Sequence, residues 1–284
     1  MRFAKAEALG NDFVIVDAGQ LAGKDASRVA RQVCRRSHDL GADGLILFRR
    51  TEGSGRPRFS MQVFNADGSE AEISGNGLRC LAAQLVQQGQ ATGGRLVIQT
   101  GAGARRLSLT GSKPPEYGFN LLMGEPVLDP AAIDFRPDPP GASLVGYPLL
   151  VGDRIHPVTV TSMGNPHCSL LVADLEKTDW EGLGHRIEVH PCFPRRTNVE
   201  FVQVLDRSNL AVRFWERGVG KTLASGTGGC AAAVAACLNG VSDRAVQVHT
   251  PGGILQVHWQ EDNQLSLSGP ARIVCQGQYY PVED

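Results

Sequence analysis

The sequence lacks an excess of charge, a paired-cysteine motif and a long apolar run. Its 28 Lys and Arg residues nearly balance 29 Asp and Glu residues, giving a net charge of −1, whereas binding to nucleic acid or to an acidic membrane needs a basic surface. The seven cysteines are odd in number and include no Cys-x-x-Cys pair, which is typical of reduced thiols. Met1–Glu7 contains no apolar run like that of a signal peptide, and the longest apolar segment, residues 230–238, is too short to span a membrane. We therefore expect a cytoplasmic protein with no nucleic-acid or membrane partner.

Glycine, in contrast, is abundant, at 34 of 284 residues, and two glycine-rich segments resemble each other. Residues 64–86 align without a gap on residues 215–237, 151 positions later, so that Ser74-Gly-Asn-Gly77 falls on Ser225-Gly-Thr-Gly228. A second pair, Leu9-Gly-Asn-Asp-Phe13 and Met163-Gly-Asn-Pro-His167, recurs 154 positions apart. Two matches in the same order at nearly the same offset indicate two homologous domains.

Each repeat predicts a strand, a Ser-Gly-x-Gly turn and then an apolar helix. Helices are predicted after Gly77, after Gly228 and over Ala26–Ser37. Because a helix that is apolar all round must be buried on all sides, the many short strands predict a sheet curled around one central helix in each half. The proline-rich segment 126–140 predicts a loop near the crossing between the halves.

The glycine motifs favour an anion site over a nucleotide site. Neither Gly220-Lys-Thr222 nor Gly75-Asn-Gly77 completes a nucleotide-binding fingerprint. A Ser-Gly-x-Gly turn that enters a helix exposes unpaired backbone N–H groups, which suit a carboxylate. The alternative is that the glycines only cap and pack the helices; two copies favour a site. His185, His190 and Cys192 lack a fourth metal ligand at a recognised spacing, so we expect no metal.

Taken together, the motifs resemble those of diaminopimelate epimerases, the cofactor-independent enzymes of bacterial lysine and cell-wall synthesis. The resemblance covers essentially the whole chain. It implies an α+β fold of two pseudo-symmetric domains, each a β-barrel-like sheet around a central helix, with residues 1–122 plus about 271–284 in one domain and 123–270 in the other. It also implies an amino-acid substrate in the cleft between the domains, no cofactor and a possible homodimer. The motifs that carry it are, in order, Leu9–Phe13, Phe64–Ser69, Ser74–Gly77 with Arg79 and Cys80, Gly164–His167, Thr197–Val199, Glu216–Gly218 and Ser225–Gly228.

The resemblance implies two-base proton exchange at an amino-acid α-carbon, with Ser74 and Ser225 in the positions of the family's two catalytic cysteines. A serine hydroxyl is a far weaker acid than a thiol, so its pKa does not match neutral pH. His167 and Glu216 match positions that assist catalysis. Two usual substrate contacts differ, because Gly44 and Glu200 stand where amides are common. The positions that match substrate contacts are Asn11, Asn65, Gly75, Asn76, Asn165, Asn198, Glu216, Arg217, Gly226 and Thr227.

Three accounts of the two serines remain open at this point. They were introduced deliberately to make an inert isostere, or they mark a natural member whose reaction has changed, or they belong to a slow serine-based epimerase. Cys80 and Cys230 lie inside the predicted helices and are expected to pack in the core, and Lys221 is expected on a surface loop. The competing class of function is a non-catalytic amino-acid-binding protein, or a diverged isomerase or dehydratase, on the same scaffold.

Overall fold

The computed structural model describes residues 1–51, 58–71, 73–101 and 103–280. The described part of the chain contains five α-helices and 17 strands. The helices are α1 (Ala26–Val33), α2 (Gly75–Gln87), α3 (Pro130–Ile133), α4 (Trp180–Glu188) and α5 (Gly226–Leu238). The strands are β1 (Arg2–Ala8), β2 (Asn11–Asp17), β3 (Gly44–Thr51), β4 (Arg58–Asn65), β5 (Glu70–Ala71), β6 (Arg95–Thr100), β7 (Gly103–Lys113), β8 (Glu116–Gly124), β9 (Tyr147–Val151), β10 (Arg154–Ser162), β11 (Pro166–Leu171), β12 (Asn198–Asp206), β13 (Asn209–Glu216), β14 (Gly220–Thr222), β15 (Ala245–Thr250), β16 (Gly253–Trp259) and β17 (Leu265–Gln278).

Unit 1, which comprises Met1–Leu121 and Ser268–Asp284, is a closed barrel around a helix. Its strands pair in the order β1-β2-β3-β4-β6-β7-β8-β17, and β17 pairs back onto β1. Helix α2 packs against β1, β2 and β3 and buries ten consecutive residues, 76–85. Residues 281–284, the end of the segment predicted to return to the N-terminal domain, lie outside the described residues.

Unit 2, Leu122–Leu267, repeats this plan. Its strands pair in the order β9-β10-β11-β12-β13-β15-β16, with β14 added to β13. Helix α5 packs against six of these strands, and its residues 228–236 are all buried. The predicted α+β fold, with a barrel-like sheet around one central helix in each half, is confirmed.

The strand registers define which residues of the two units are equivalent. The parallel pair β2–β3 places Phe13 opposite Gly44, and the parallel pair β11–β12 places His167 opposite Asn198, each 154 positions later. From β4 to α2 in unit 1, and from β13 to α5 in unit 2, equivalent residues are 151 positions apart. The strand pairs show this, because β5 pairs with β4 in the same register as β14 pairs with β13. Side chains in the two units can therefore be compared position by position.

Both central helices begin at a serine. The Ser74 Oγ accepts a hydrogen bond from the Gly77 N–H at 3.0 Å, and the Ser225 Oγ accepts one from the Gly228 N–H at 3.2 Å, which is ordinary N-cap geometry. A Cβ on Gly228 would lie 2.9 Å from the Phe214 ring. Each central helix thus starts at its capping serine. In unit 2, the absence of a side chain at Gly228 lets strand β13, which carries Phe214, pack close to the helix.

Two local predictions differ from the structure. Helix α1 was predicted to reach Ser37 but ends at Val33, because the carbonyls of Val33 and Cys34 accept the N–H groups of Gly41 and Ala42 at 2.9 and 3.3 Å. Helix α4 was not predicted, although Asp179 caps it by accepting the Gly182 N–H at 3.1 Å. Over the described ranges, the helices are too short or too polar for any to cross a membrane.

Candidate active site

In unit 1, the entry to α2 is held by a chain of side-chain amides. The Asn76 Nδ2 donates to the Asn11 Oδ1 at 3.3 Å, and the Asn11 Nδ2 donates to the Asp43 Oδ2 at 2.8 Å. At the other end, the Arg79 Nη2 donates to the Asn76 Oδ1 at 2.5 Å. The charged Asp43 and Arg79 therefore fix which way both amides face, so that Asn11 and Asn76 lie together beside Ser74.

Asn65, the fourth polar residue predicted in this unit, is not part of that chain. It lies at the exposed end of β4, and its Nδ2 donates to the Ser69 Oγ at 2.9 Å. Its backbone is opposite Gly44 in the β3–β4 register. The structure thus brings Asn11 and Asn76 into contact and leaves Asn65 at the end of β4, where it is bonded to the turn that follows.

The first turn of each central helix leaves backbone donors open. Within the described residues, the N–H groups of Gly75 and Asn76 make no hydrogen bond, and neither do those of Gly226 and Thr227. Such donors lie at the positive end of the helix dipole, where an anion is stabilised. Each unit therefore presents a carboxylate-sized donor pair next to its capping serine.

In unit 2, the capping serine also contacts a carboxylate. The Ser225 Oγ donates to the Glu216 Oε2 at 3.1 Å. Burial raises the pKa of the Glu216 carboxyl above its ordinary value, and the opposing effects of Thr222, Ser225 and His167 only partly offset this. Since a general base works best when its pKa lies near the operating pH, the shift makes Glu216 better suited to accept a proton from Ser225.

A buried polar cluster lies on the adjacent strands β11 and β12. The His167 Nδ1 lies 2.6 Å from the Glu200 Oε1, and the Ser169 Oγ donates to the Glu200 Oε2 at 3.1 Å. His167 and Glu200 are 0% and 1% exposed. The remaining ring nitrogen of His167, Nε2, is 3.0 Å from the Asn165 Oδ1. The cluster packs beneath the entry to α5, because a Cβ on Gly228 would lie 3.0 Å from the Glu200 Oε1.

The turn that carries Glu216 and Arg217 is held from both ends. Glu188, at the end of α4, accepts the Trp215 Nε1–H at 2.7 Å and the Gly218 N–H at 2.9 Å. Burial raises the pKa of the Glu188 carboxyl, but these hydrogen bonds and a nearby arginine outweigh that effect and leave the pKa below its ordinary value.

Asn198 joins this turn to β11. Its Oδ1 accepts the Arg217 N–H at 3.0 Å, and its Nδ2 donates to the Pro166 carbonyl at 2.9 Å. The Arg217 guanidinium is exposed and its Nη1 donates to the Arg195 carbonyl at 3.2 Å. Hydrogen bonds and chain neighbours thus link six of the predicted site residues of unit 2 into one set, Asn165, His167, Asn198, Glu216, Arg217 and Ser225.

The cysteines nearest these helix entries are packing residues. Cys80 and Cys230 are fully buried, and burial raises the pKa of the Cys80 thiol above its ordinary value. His190, which the sequence places near His185 and Cys192, has both ring nitrogens in contact with the backbone. Its Nδ1 accepts the Cys192 N–H at 3.2 Å, and its Nε2 lies 2.9 Å from the Leu150 carbonyl oxygen.

Comparison with known proteins decides the family. The sequence model described as "Diaminopimelate epimerase" matches residues 3–128 and 159–274, which takes in every motif described above. The chain belongs to the diaminopimelate epimerase family. It is accordingly an isomerase of the epimerase type.

Relatives in this family are similar over nearly their full length. The chain is 42% identical over 281 residues to the diaminopimelate epimerase of Pelotomaculum thermopropionicum, covering 98% of this chain and 99% of that protein. It is 44% identical over 283 residues to the diaminopimelate epimerase of Moorella thermoacetica, with the same coverage.

Solved structures share the fold at low sequence identity. A phenazine biosynthesis protein of the PhzF family from Bacillus anthracis gives a TM-score of 0.69 at 18% identity, covering 99% of each chain. A hydroxyproline epimerase from Agrobacterium vitis, with bound trans-4-hydroxy-L-proline, gives 0.66 at 13% identity, covering 98% of this chain and 90% of that one. The diaminopimelate epimerase fold is therefore shared with proteins of different names.

Sequence reasoning missed Asp43 and Glu188, and it named Arg79 within a motif without giving it a role, because these residues act on other side chains rather than at the helix entries. One signal could have pointed to Glu188. A carboxylate in the last turn of a helix opposes the helix dipole, and such a local conflict is expected where a residue has another role.

Proposed function

We propose that this diaminopimelate epimerase family member binds diaminopimelate and that Ser74 and Ser225 occupy the base positions for proton transfer at its α-carbon. The reaction would interconvert the LL and meso forms, in the pathway to lysine and cell-wall precursors. The names of the relatives supply the substrate. The observation that carries the proposal is the pair of helix entries, each with a serine cap and two open backbone N–H donors.

The open donors would hold the α-carboxylate. Hydrogen bonds from Gly75, Asn76, Gly226 and Thr227 to a carboxylate are charge-assisted. They strengthen as the α-carbon loses its proton and negative charge moves onto the carboxylate oxygens, so they favour the transition state over the bound substrate. Binding at these donors therefore serves the chemistry as well as recognition.

Polar side chains around the donors would bind the other polar groups of the substrate. Asn11 is oriented by Asp43 and presents an amide to a polar group. In unit 2, the exposed guanidinium of Arg217 suits a second carboxylate, which diaminopimelate has and lysine lacks. Asn65, Asn165 and Asn198 are proposed as further polar contacts, on the family pattern. Assembly as a homodimer and a cytoplasmic location stay predictions.

Serine in both base positions sets the expected rate. A hydroxyl is not ionised at neutral pH by a helix dipole, so neither Ser74 nor Ser225 alone supplies the base that a thiolate would. We expect inversion to be slow, and replacement by cysteine to raise its rate because the thiol pKa lies far closer to neutrality.

The second candidate is an amino-acid-binding protein, or a diverged isomerase or dehydratase, on the same scaffold. The observation that favours it is the presence of serine at both base positions. The two candidates differ in whether the site can be made to invert its ligand.

Isothermal titration calorimetry with LL-diaminopimelate, meso-diaminopimelate and L-lysine tests the ligand. We expect binding of a diaminopimelate isomer and at least tenfold weaker binding of lysine. Conversion of LL to meso is then followed by chiral chromatography in the protein and in the Ser74→Cys plus Ser225→Cys variant. Faster inversion in the variant supports the epimerase scaffold; binding of neither diaminopimelate isomer contradicts the proposed substrate. Binding without inversion in either protein supports the second candidate.

A further inference from the structure

The barrel of unit 1 contains a cavity at the end where α2 finishes. The cavity has a volume of about 370 Å³, which lies within the range of small-molecule sites, and every residue that lines it belongs to unit 1. Gln84, in the last part of α2, is among these residues. Because an α-helix rises about 1.5 Å per residue, Gln84 lies about 15 Å along the helix from Ser74. The cavity is therefore separate from the entry to α2.

The strand register explains why polar side chains face this cavity. Ala4 pairs with Ile15 across β1 and β2, and with Gln276 across β1 and β17. Alternate residues of a strand face the same side of a sheet, so Arg2 and Asp17 share the inner face with Ala4 and Ile15. The inside of the barrel thus changes from apolar to polar at this end.

The lining combines an apolar interior with a ring of amides. Ala4, Ile15 and Phe48 are at most 6% exposed. The two charged residues, Arg2 and Asp17, are exposed and opposite in sign, so the lining carries no net charge. An amide both donates and accepts hydrogen bonds, as a hydroxyl group does. Six glutamines contribute such amides, namely Gln20, Gln84, Gln88, Gln90, Gln276 and Gln278.

The Gln84 side chain indicates that the cavity takes a ligand. Gln84 is 4% exposed, and its Oε1 accepts a hydrogen bond from the Gln276 Nε2 at 2.8 Å. Within the part of the chain that the structure describes, its Nε2 makes no hydrogen bond, and the side chain lines the cavity. Leaving a buried amide donor without an acceptor destabilises a protein. A ligand atom that accepts this N–H would remove that cost.

Other amides of the lining are already held in place. The Gln20 Oε1 accepts the Arg2 N–H at 2.7 Å, and the Gln20 Nε2 donates to the Arg2 carbonyl at 3.1 Å. The Gln90 Nε2 donates to the Gln88 Oε1 at 3.1 Å. Side chains that are ordered before binding lose less conformational entropy when a ligand arrives. The lining is thus partly organised for recognition.

We propose that this cavity binds a small uncharged polyol, of the size and chemistry of a monosaccharide. An oxygen of the sugar accepts the Gln84 Nε2–H, and the apolar C–H face of the sugar ring packs against Phe48. The remaining hydroxyls exchange hydrogen bonds with the amides around the rim. A charged ligand does not fit as well, because burying its charge needs a buried counter-charge, whereas Arg2 and Asp17 are exposed. This binding site is independent of the proposed function.

Saturation-transfer difference NMR with the full chain tests the site, using D-glucose, D-galactose, D-ribose and N-acetyl-D-glucosamine as probes and L-glutamine as a zwitterionic comparison. We expect at least one sugar to bind, and titration to show about tenfold weaker binding in Gln84→Leu, since the variant lacks the buried donor. Gln87→Leu is the matched control, because Gln87 is exposed on the same helix, accepts the Tyr117 hydroxyl at 3.2 Å and lies outside the lining. It should bind like the parent.

Gln88→Trp provides a second variant that spares the core. Gln88 is exposed at the rim, so an indole there should close the cavity and abolish binding without changing the urea midpoint. Gln84→Leu should be as stable as the parent or more stable, because it removes a buried donor that has no acceptor. The proposal is overturned if none of the sugars binds, if both variants bind as the parent does, or if diaminopimelate displaces the sugar. Binding of L-glutamine without any sugar would refute the ligand class.

Discussion

The buried cluster of unit 2 consists of His167, Ser169 and Glu200, and unit 1 has the apolar residues Phe13, Ile15 and Ile46 at the equivalent positions. The cluster can therefore be replaced by apolar side chains that the same fold already accepts. Glu200→Ile alone leaves His167, which is fully buried, without its 2.6 Å partner and leaves Ser169 without its acceptor. Breaking a buried pair by removing one partner costs about 3–5 kcal/mol. Replacing all three residues with apolar side chains, in His167→Leu, Ser169→Ile and Glu200→Ile together, should instead be close to neutral or stabilising by about 1–4 kcal/mol.

The substitution at position 167 is leucine rather than phenylalanine because the residue opposite this position differs between the two units. In unit 1, Phe13 lies opposite Gly44, and a Cβ on Gly44 would be 3.2 Å from the Phe13 ring. Unit 2 has Asn198 in place of that glycine, so a full phenyl ring would meet its side chain. A leucine fills the volume of the imidazole without that contact.

Urea denaturation followed by far-UV circular dichroism and tryptophan fluorescence measures the difference. With a slope of about 1–3 kcal/mol per molar urea, the single variant should lower the unfolding midpoint by about 1 M or more, and the triple variant should recover it. Glu200→Gln, which keeps the size and one oxygen acceptor, should lie between them. A triple variant as unstable as Glu200→Ile would show that the two units do not offer equivalent packing at these positions, and the comparison between them would fail.

Three further outcomes are expected. Gly228→Ala should destabilise the protein by about 1–3 kcal/mol in the same denaturation assay, because its Cβ would lie 2.9 Å from the Phe214 ring; unchanged stability would mean that the strand has room to move. Glu188 has a folded-state pKa below its ordinary value, so it contributes stability above its unfolded pKa that is lost as pH falls through the folded pKa. Glu188→Gln should therefore be less stable than the parent at pH 7, with the gap closing toward pH 3, and a gap that is constant with pH would contradict this. Burial and the hydrogen bond to Asp39 raise the pKa of Tyr279 to about 12, so ultraviolet titration should show one tyrosine ionising late, stability should fall as pH rises from about 10 toward 12, and Tyr279→Phe should remove the late titration; its persistence would assign the shift to another tyrosine.

Much of the fold was predictable because the internal repeat is visible in the sequence. Ser74–Gly77 and Ser225–Gly228 mark both helix entries, and the apolar helices that follow them have to be central. Helix α4 was harder to predict, since its sequence mixes Trp180 with glycine and histidine and its cap, Asp179, is a residue also common in turns. For this helix, packing against β12 and β13 rather than propensity decides the structure.

The site was predictable where it follows motifs and not where it depends on long-range contacts. Asn11 and Asn76 are 65 positions apart in sequence, and they come into contact because α2 packs against β2 inside the barrel. The distances from Glu200 to His167 and from Glu188 to the Glu216 turn depend on register and helix placement, which periodicity alone does not give. The contrast between Phe13 and His167 was present in the aligned repeats, however, and only the strand register shows that it concerns the same position in space.

The barrel of unit 1 is assembled from two separated stretches of chain. Its ring closes only when β17 pairs with β1, and the residues between these strands include all of unit 2 except its last three residues, which belong to β17. A ribosome makes the chain from its N-terminus, so unit 2 can fold as a continuous segment while unit 1 still has an open edge with unpaired backbone groups. The order of synthesis therefore favours early folding of unit 2, and the barrel of unit 1 is completed last.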